Sequence, residues 1–71
     1  MAELTWLEAR VLDRVRVRAA AGEPVPCWRV LQDLARWASS TTIRRALASL
    51  VSKGLLSKPR RGHYLPTEEN A

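Results

Sequence analysis

The chain has 71 residues, a hydrophobic fraction of 46% and a formal net charge of +5. This length predicts one small domain, and the apolar content excludes a globally disordered chain. No apolar run is long enough to cross a bilayer, and the first residues lack the basic and apolar regions of a secretory signal. The single cysteine, Cys27, excludes an internal disulfide bond. We therefore expect a cytoplasmic protein.

The positive charge is concentrated in the second half of the chain. Residues 1–28 contain four arginines and four carboxylates, whereas residues 29–63 contain eight basic residues and the single acid Asp33, a net charge of +7. Such an asymmetry favours a polyanionic partner. Charge alone leaves open the alternative of a soluble protein that is simply basic.

The first helix is predicted from about Trp6 to Ala21. The segment Thr5–Glu8 has the residues of a capping box, in which the threonine hydroxyl and the glutamate carboxylate each accept from a backbone N–H. Apolar residues follow at helical spacing, and Gly22 and Pro24 end the pattern. Val17 lies outside the apolar stripe, and an exposed apolar residue there indicates a subunit contact.

A second helix is predicted from about Cys27 to Trp37, after an extended link. The link, Pro24–Pro26, cannot be helical, but Val25 can pair as a strand of one or two residues. We expect Trp28 and Trp37 in the core or at its edge, because a small domain needs large apolar groups. Base stacking is the alternative role for these rings.

A third helix is predicted over about residues 40–53, after a short turn at Ala38-Ser39. Its apolar residues share one stripe, a serine hydroxyl (Ser39 or Ser40) can cap its start, and Gly54 suits its end. The other face opens with hydroxyls and continues with Arg44 and Arg45. Since arginine binds phosphate or the edge of guanine, this segment is a candidate recognition helix. Two helices joined by a tight turn form a helix-turn-helix.

A hairpin is predicted after the third helix. Two short apolar runs flank Pro59–Gly62, and we expect Arg60-Arg61 at the tip. Tyr64 is expected to pack the hairpin against the helices. His63 lacks the other ligands that a metal site requires and is expected beside the hairpin backbone. Residues 1–71 then form a single domain, with residues 67–71 as a frayed tail.

The order helix, short strand, helix, turn, helix, hairpin resembles the winged helix-turn-helix family of DNA-binding domains. The segments 39–47 and 50–56 carry the resemblance, which covers roughly residues 5–66. They are similar to bacterial transcription regulators of the GntR and MarR kinds, which show a Thr-(aliphatic)-Arg-x-x-Leu run followed by Leu-x-x-x-Gly-Leu. The resemblance implies a mainly α fold with a small β-wing: a three-helix winged helix-turn-helix in the order α-β-α-α-β-β. It implies a small bacterial or phage transcription regulator or repressor.

The resemblance also implies a site for double-stranded DNA, bound sequence-specifically. The recognition helix, about 40–53, would enter the major groove, and the wing, 58–63, would contact the minor groove or phosphates. Because residues matching Thr41, Thr42 and Arg44 contact DNA in GntR-like proteins, we assign Arg44 to a base and Arg45 to a phosphate. The alternative for each arginine is simple solvation, and one of the two can instead turn to a carboxylate such as Asp33. The predicted DNA-binding residues are Arg29, Ser39, Ser40, Thr41, Thr42, Arg44, Arg45, Lys58, Arg60 and Arg61.

Other functions remain open at this stage. Within DNA binding a transcription repressor is the commonest role, and the alternatives are an accessory protein in replication, partition or recombination and an architectural DNA-binding protein. A winged-helix module for protein–protein interaction is a further alternative, but the basic and hydroxylated face of the third helix counts against it. The sequence pairs no nucleophile with a base and has no phosphate-binding glycine loop or metal cluster, so we expect no enzyme, cofactor or small-molecule ligand. Because one domain contacts few base pairs, we expect a homodimer, joined through the first helix or the termini. A DNA-binding protein is also expected to be associated with the nucleoid.

Overall fold

Three helices and a three-stranded antiparallel sheet make up the computed structural model, which describes residues 4–20 and 22–67. The strands lie in the order β1-β3-β2, so that β3 is central. The order of elements along the chain is the predicted one. In these two ranges, no helix is both long and apolar enough to cross a membrane. The elements are α1 (Trp6–Arg18), β1 (Val25–Pro26), α2 (Cys27–Leu34), α3 (Ser40–Ser52), β2 (Leu56–Arg60) and β3 (His63–Pro66).

The core is formed by one stripe from each helix together with side chains from the sheet. Most of these side chains are aliphatic, and Tyr64 is the aromatic member, which confirms that it packs the hairpin against the helices. Removing this apolar surface from water supplies the main driving force for folding. The buried set is Val11, Leu12, Val15, Val25, Val30, Leu34, Ile43, Ala46, Leu47, Leu50, Leu56 and Tyr64.

Helix α1 begins with the predicted capping box. The Glu8 backbone N–H donates to the Thr5 hydroxyl over 3.1 Å, and the Thr5 N–H donates to the Glu8 carboxylate over 2.9 Å. The helix ends at Arg18, earlier than predicted, because a turn closes after it, with the Gly22 N–H donating to the Ala19 carbonyl. The predicted end, Ala21, lies outside the described residues.

Helix α2 is three residues shorter than predicted. It ends at Leu34, whose carbonyl accepts from both the Trp37 and Ala38 N–H groups over 2.9 and 3.2 Å. The first of these bonds tightens the chain into a turn instead of continuing the α-helix. The connection to α3 therefore spans residues 35–39, and the prediction of a short turn at Ala38-Ser39 alone is wrong.

The hairpin tip is Arg61-Gly62, one residue later than predicted. Arg60 belongs to β2 and lies opposite His63, so it is not part of the tip. The pairing register shifts between Ser57 and Arg60, which places Pro59 in an irregularity that tolerates its missing N–H. Gly62 adopts a φ of 75°, which favours glycine at the turn.

Two tryptophans lie on the surface instead of in the core. Trp28 is 57% exposed and Trp37 is 48% exposed, so their predicted burial is wrong. Trp37 follows the last turn of α2, and Trp28 precedes the buried Val30 by two residues, which places it on the opposite side of the helix. Aliphatic side chains fill the core in their place.

The end of the chain is held to the sheet as far as Thr67. Its backbone N–H donates to the Leu55 carbonyl over 3.2 Å, so this residue of the predicted tail is hydrogen-bonded. The rest of that tail, residues 68–71, lies outside the described residues.

Candidate functional site

The outward face of α3 carries a line of four small or basic residues. Thr41, Arg45, Ala48 and Ser52 recur at spacings of four, three and four, and all are exposed. In a helix these spacings place them on one line, opposite the buried stripe that contains Leu47. Arg45 therefore lies at the centre of the outward face, with small neighbours that leave room for close approach to a surface.

The charge of Arg44 on α3 acts on Tyr64 of the central strand β3. Burial raises the pKa of the Tyr64 hydroxyl, and the positive charge of Arg44 opposes this shift. The ammonium of Lys58 lies 6.0 Å from the centre of the Tyr64 ring. Two predicted site residues from different elements, Arg44 and Lys58, thus lie near the same side chain of β3.

The hydroxyls at the start of α3 divide into two pairs. The Ser39 oxygen accepts from the Thr42 N–H over 3.3 Å and lies 2.9 Å from the Thr42 hydroxyl. These two residues therefore form the helix cap, and Ser39 is the N-cap residue. Ser40 and Thr41 are exposed and lie outside this cap. They are the hydroxyls of the first turn with the more direct access to a ligand.

The basic residues of the hairpin lie on a fixed support. Lys58, Arg60 and Arg61 are exposed, and the backbone N–H of Cys27 donates to the Gly62 carbonyl over 2.7 Å. This bond fastens the hairpin tip to the start of α2. The position of the two arginines relative to the helices is therefore determined by the fold.

Arg29 differs from the other predicted site residues because it is half-buried. Its guanidinium carbon lies 4.8 Å from the centre of the Trp28 ring, a cation–π distance. Trp28 itself lines a shallow groove with Ser39 and Ser40, between α2 and the start of α3. The exposed position of Trp28 differs from its prediction, although its spacing from Val30 was a signal in the sequence.

The ion pairs of the described residues leave the outward face of α3 and the hairpin unneutralised. Asp33 binds Arg18 through two oxygens, at 2.7 and 2.8 Å, and Arg14 at 3.2 Å. These arginines, Arg18 first, hold the pKa of Asp33 below its usual range. Asp33 thus pairs with two arginines of α1, and neither Arg44 nor Arg45 forms an ion pair with it. Between residues 34 and 67 the chain has no carboxylate side chain.

Five of the predicted cations therefore form no ion pair with any residue that the structure describes. Each of them is exposed, and each belongs either to α3 or to the hairpin. Cations without a carboxylate partner in this part of the chain are available to an external anion. These residues are Arg44, Arg45, Lys58, Arg60 and Arg61.

Lys53 has a structural partner that the sequence did not indicate. Its ammonium lies 2.8 Å from the carboxylate of Glu8, which also accepts from the Ser49 hydroxyl. With the Thr5 N–H as a further donor, these bonds lower the pKa of Glu8 to about 2. The Glu8 carboxylate thus joins α1 to α3, and Lys53 serves the fold.

Comparison with known proteins gives no family for this chain. No family model, curated protein or solved structure matches it. Within residues 4–20 and 22–67, no three His, Cys, Asp or Glu side chains are grouped so that they could hold a metal ion. The function has to be inferred from the exposed faces and charges of the chain itself.

Proposed function

We propose that this chain is a winged helix-turn-helix protein that binds double-stranded DNA and acts as a small transcription regulator. Helix α3 would enter the major groove, and the hairpin of β2 and β3 would contact the adjacent minor groove or its phosphates. The observation that carries the proposal is the set of five exposed cations on α3 and the hairpin that pair with no carboxylate of residues 4–20 and 22–67. A polyphosphate backbone supplies the matching charge.

We assign the base contact to Arg45 and a backbone contact to Arg44, the reverse of the assignment made from the family resemblance. The centre of an outward helix face points most directly into a groove, and Arg45 occupies that centre beside Thr41 and Ala48. Arg44, whose charge acts on Tyr64 of β3, is better placed for the phosphates that flank the groove. A guanidinium fork can bind two acceptors of guanine, which favours guanine as the base.

The proposal is tested by selecting duplexes from random DNA and titrating the selected and unselected ones at several salt concentrations. If about four cations contact phosphates, the logarithm of the association constant should fall with the logarithm of salt concentration with a slope of about −4. An enriched sequence bound more tightly than random DNA supports a regulator. Equal affinity for all duplexes would support an architectural protein, and no salt-dependent binding to any duplex would refute DNA binding.

Single alanine variants should separate base contacts from phosphate contacts. Arg45→Ala should remove about 1–3 kcal/mol of discrimination between the selected duplex and a mismatched one. Arg61→Ala should weaken binding to both duplexes alike and reduce the salt slope by about 1. Both effects are measured by fluorescence anisotropy with labelled duplexes.

The matched control for these variants is Arg16→Ala. Arg16 is an exposed arginine on α1, outside the proposed DNA-binding face, so its removal should alter affinity far less and selectivity not at all. If Arg45→Ala and Arg61→Ala lower the affinity by the same factor for the selected and the mismatched duplex, the division of roles is refuted. A loss of selectivity from Arg44→Ala instead of Arg45→Ala would restore the assignment based on the resemblance.

A further inference from the structure

The outward face of α1 carries a second stripe, unrelated to the proposed DNA-binding face. Trp6, Arg10, Asp13 and Val17 recur at spacings of four, three and four, and all are exposed. Trp6 is 58% exposed and Val17 is 53% exposed. In a helix these four residues lie on one line, opposite the buried residues of α1. The spacing is that of a coiled-coil seam.

At one end of this stripe two tryptophans and an arginine form an exposed cluster: Trp6, Arg10 and Trp37. The two rings meet edge to face with their centres 5.9 Å apart. The guanidinium carbon of Arg10 lies 5.6 Å from the Trp6 ring centre and 4.9 Å from that of Trp37. Exposed apolar surface rimmed by polar groups is typical of interaction sites.

The charges of the stripe have no ion-pair partner within the part of the chain that the structure describes. Neither Arg10 nor Asp13 forms an ion pair there, although Arg14 and Arg18, on another side of the same helix, both bind Asp33. Arg10 and Asp13 are three positions apart, close to the middle of α1. The stripe therefore offers one apolar residue at each end and one charge of each sign between them.

This order makes the stripe complementary to itself in the antiparallel direction. If a second copy of α1 lies antiparallel across a two-fold axis near the helix centre, Trp6 faces Val17 of the second copy. In the same register Arg10 faces Asp13 of the second copy, and both contacts occur twice, as two-fold symmetry requires. We propose that two copies of this chain associate through their α1 helices in this register. The inference does not depend on DNA binding.

The expected association is weak. Helix α1 has 13 residues, and at 1.5 Å per residue it is about 20 Å long. One such helix pair, with Trp37 at its edge, buries less than the roughly 800 Å² per partner of a standard stable interface. We therefore expect a dissociation constant in the micromolar range, and a monomer in dilute solution.

The test is sedimentation equilibrium of the full chain without DNA, over concentrations from about 5 to 500 µM, which bracket the expected constant. The wild-type chain should shift from monomer to dimer. Arg10→Asp and Asp13→Arg each place like charges opposite one another and should weaken self-association at least about tenfold. An equimolar mixture of the two variants restores opposite charges at both contacts and should form a heterodimer.

Two controls make the result specific to the stripe. Arg16→Asp makes the same change of charge on another side of α1, and Trp28→Ala removes an exposed ring elsewhere; both should dimerise like the wild type. Circular dichroism of each variant checks that it is folded. A wild-type chain that stays monomeric throughout, a mixture of the two charge variants that does not associate, or a dimer lost in Trp28→Ala would each overturn the proposal.

Discussion

Replacing Leu47 with alanine is expected to unfold the domain at room temperature. Leu47 is completely buried at the middle of α3. Replacing a leucine with alanine at such a site lowers the free energy of unfolding by about 2–5 kcal/mol, because contacts are lost and a cavity remains. A domain of this size is stabilised by only about 3–5 kcal/mol, so the loss consumes most or all of it. Urea denaturation followed by circular dichroism measures the effect.

Leu31→Ala is the matched control for this prediction. Leu31 is a leucine on α2 that is half-buried against the same core, so its removal should cost only about 1 kcal/mol and leave a folded domain. Similar urea midpoints for the two variants would show that the core does not centre on Leu47. The DNA-binding experiments should be repeated with Leu31→Ala, which is expected to retain binding.

Acid is expected to destabilise the domain mainly through Glu8. Its pKa is lowered from 4.5 to about 2 in the folded chain by the Lys53 ammonium first, then by the Ser49 hydroxyl and the Thr5 N–H. A carboxylate whose pKa is lowered on folding stabilises the folded chain at pH values above its ordinary pKa. This contribution is lost as the pH falls towards the lowered pKa. The melting temperature should therefore drop between about pH 4.5 and pH 2. In Glu8→Gln much of this dependence should disappear, together with some stability at neutral pH.

Melting curves recorded from pH 7 to pH 2 test this dependence. Asp33, whose pKa is also lowered, should account for the slope that remains in Glu8→Gln. Asp13→Asn is the matched control, because Asp13 is exposed and pairs with no residue in the described ranges. If the curves of Glu8→Gln and the wild type run parallel, the carboxylate of Glu8 does not stabilise the fold in the way that its contacts suggest.

The features that could be predicted from the sequence are those with local causes. The capping box at Thr5 and Glu8, the serine cap of α3 and the glycine after it each act within a few residues. Gly54 has a φ of 79°, the left-handed conformation expected at a helix end. The apolar stripes at helical spacing gave the three helices, because burial of one face decides where a helix packs.

The features that were missed depend on contacts between distant parts of the chain or on the exact end of a helix. Glu8 and Lys53 are 45 positions apart, and nothing local in the sequence indicates that they meet. The early end of α2 exposes Trp37, which its apolar character alone would have placed inside. An irregular pairing around Pro59 moves the hairpin tip by one residue. In each case packing of the whole domain overrides the local pattern.

For the candidate site the structure gives the exposure of the predicted residues, whereas their roles in DNA binding stay predictions. Nine of its ten residues are exposed, and Arg29 is half-buried over Trp28. The family resemblance drew attention to Arg44, whereas the helical period places Arg45 opposite the core. That distinction was available from the sequence, because the spacing of Thr41, Arg45 and Ser52 follows from helix geometry alone.

The hydrogen bond between Cys27 and Gly62 has a consequence for a duplex bound under the proposed function. Strand β3 is paired on both sides, and the turn before it is hydrogen-bonded to α2. The protein therefore has little freedom to adjust the distance between the outward face of α3 and the hairpin. Under the proposed function, the duplex has to bend if it is to contact both surfaces at once. Base steps that no side chain touches should influence affinity through their stiffness and groove width.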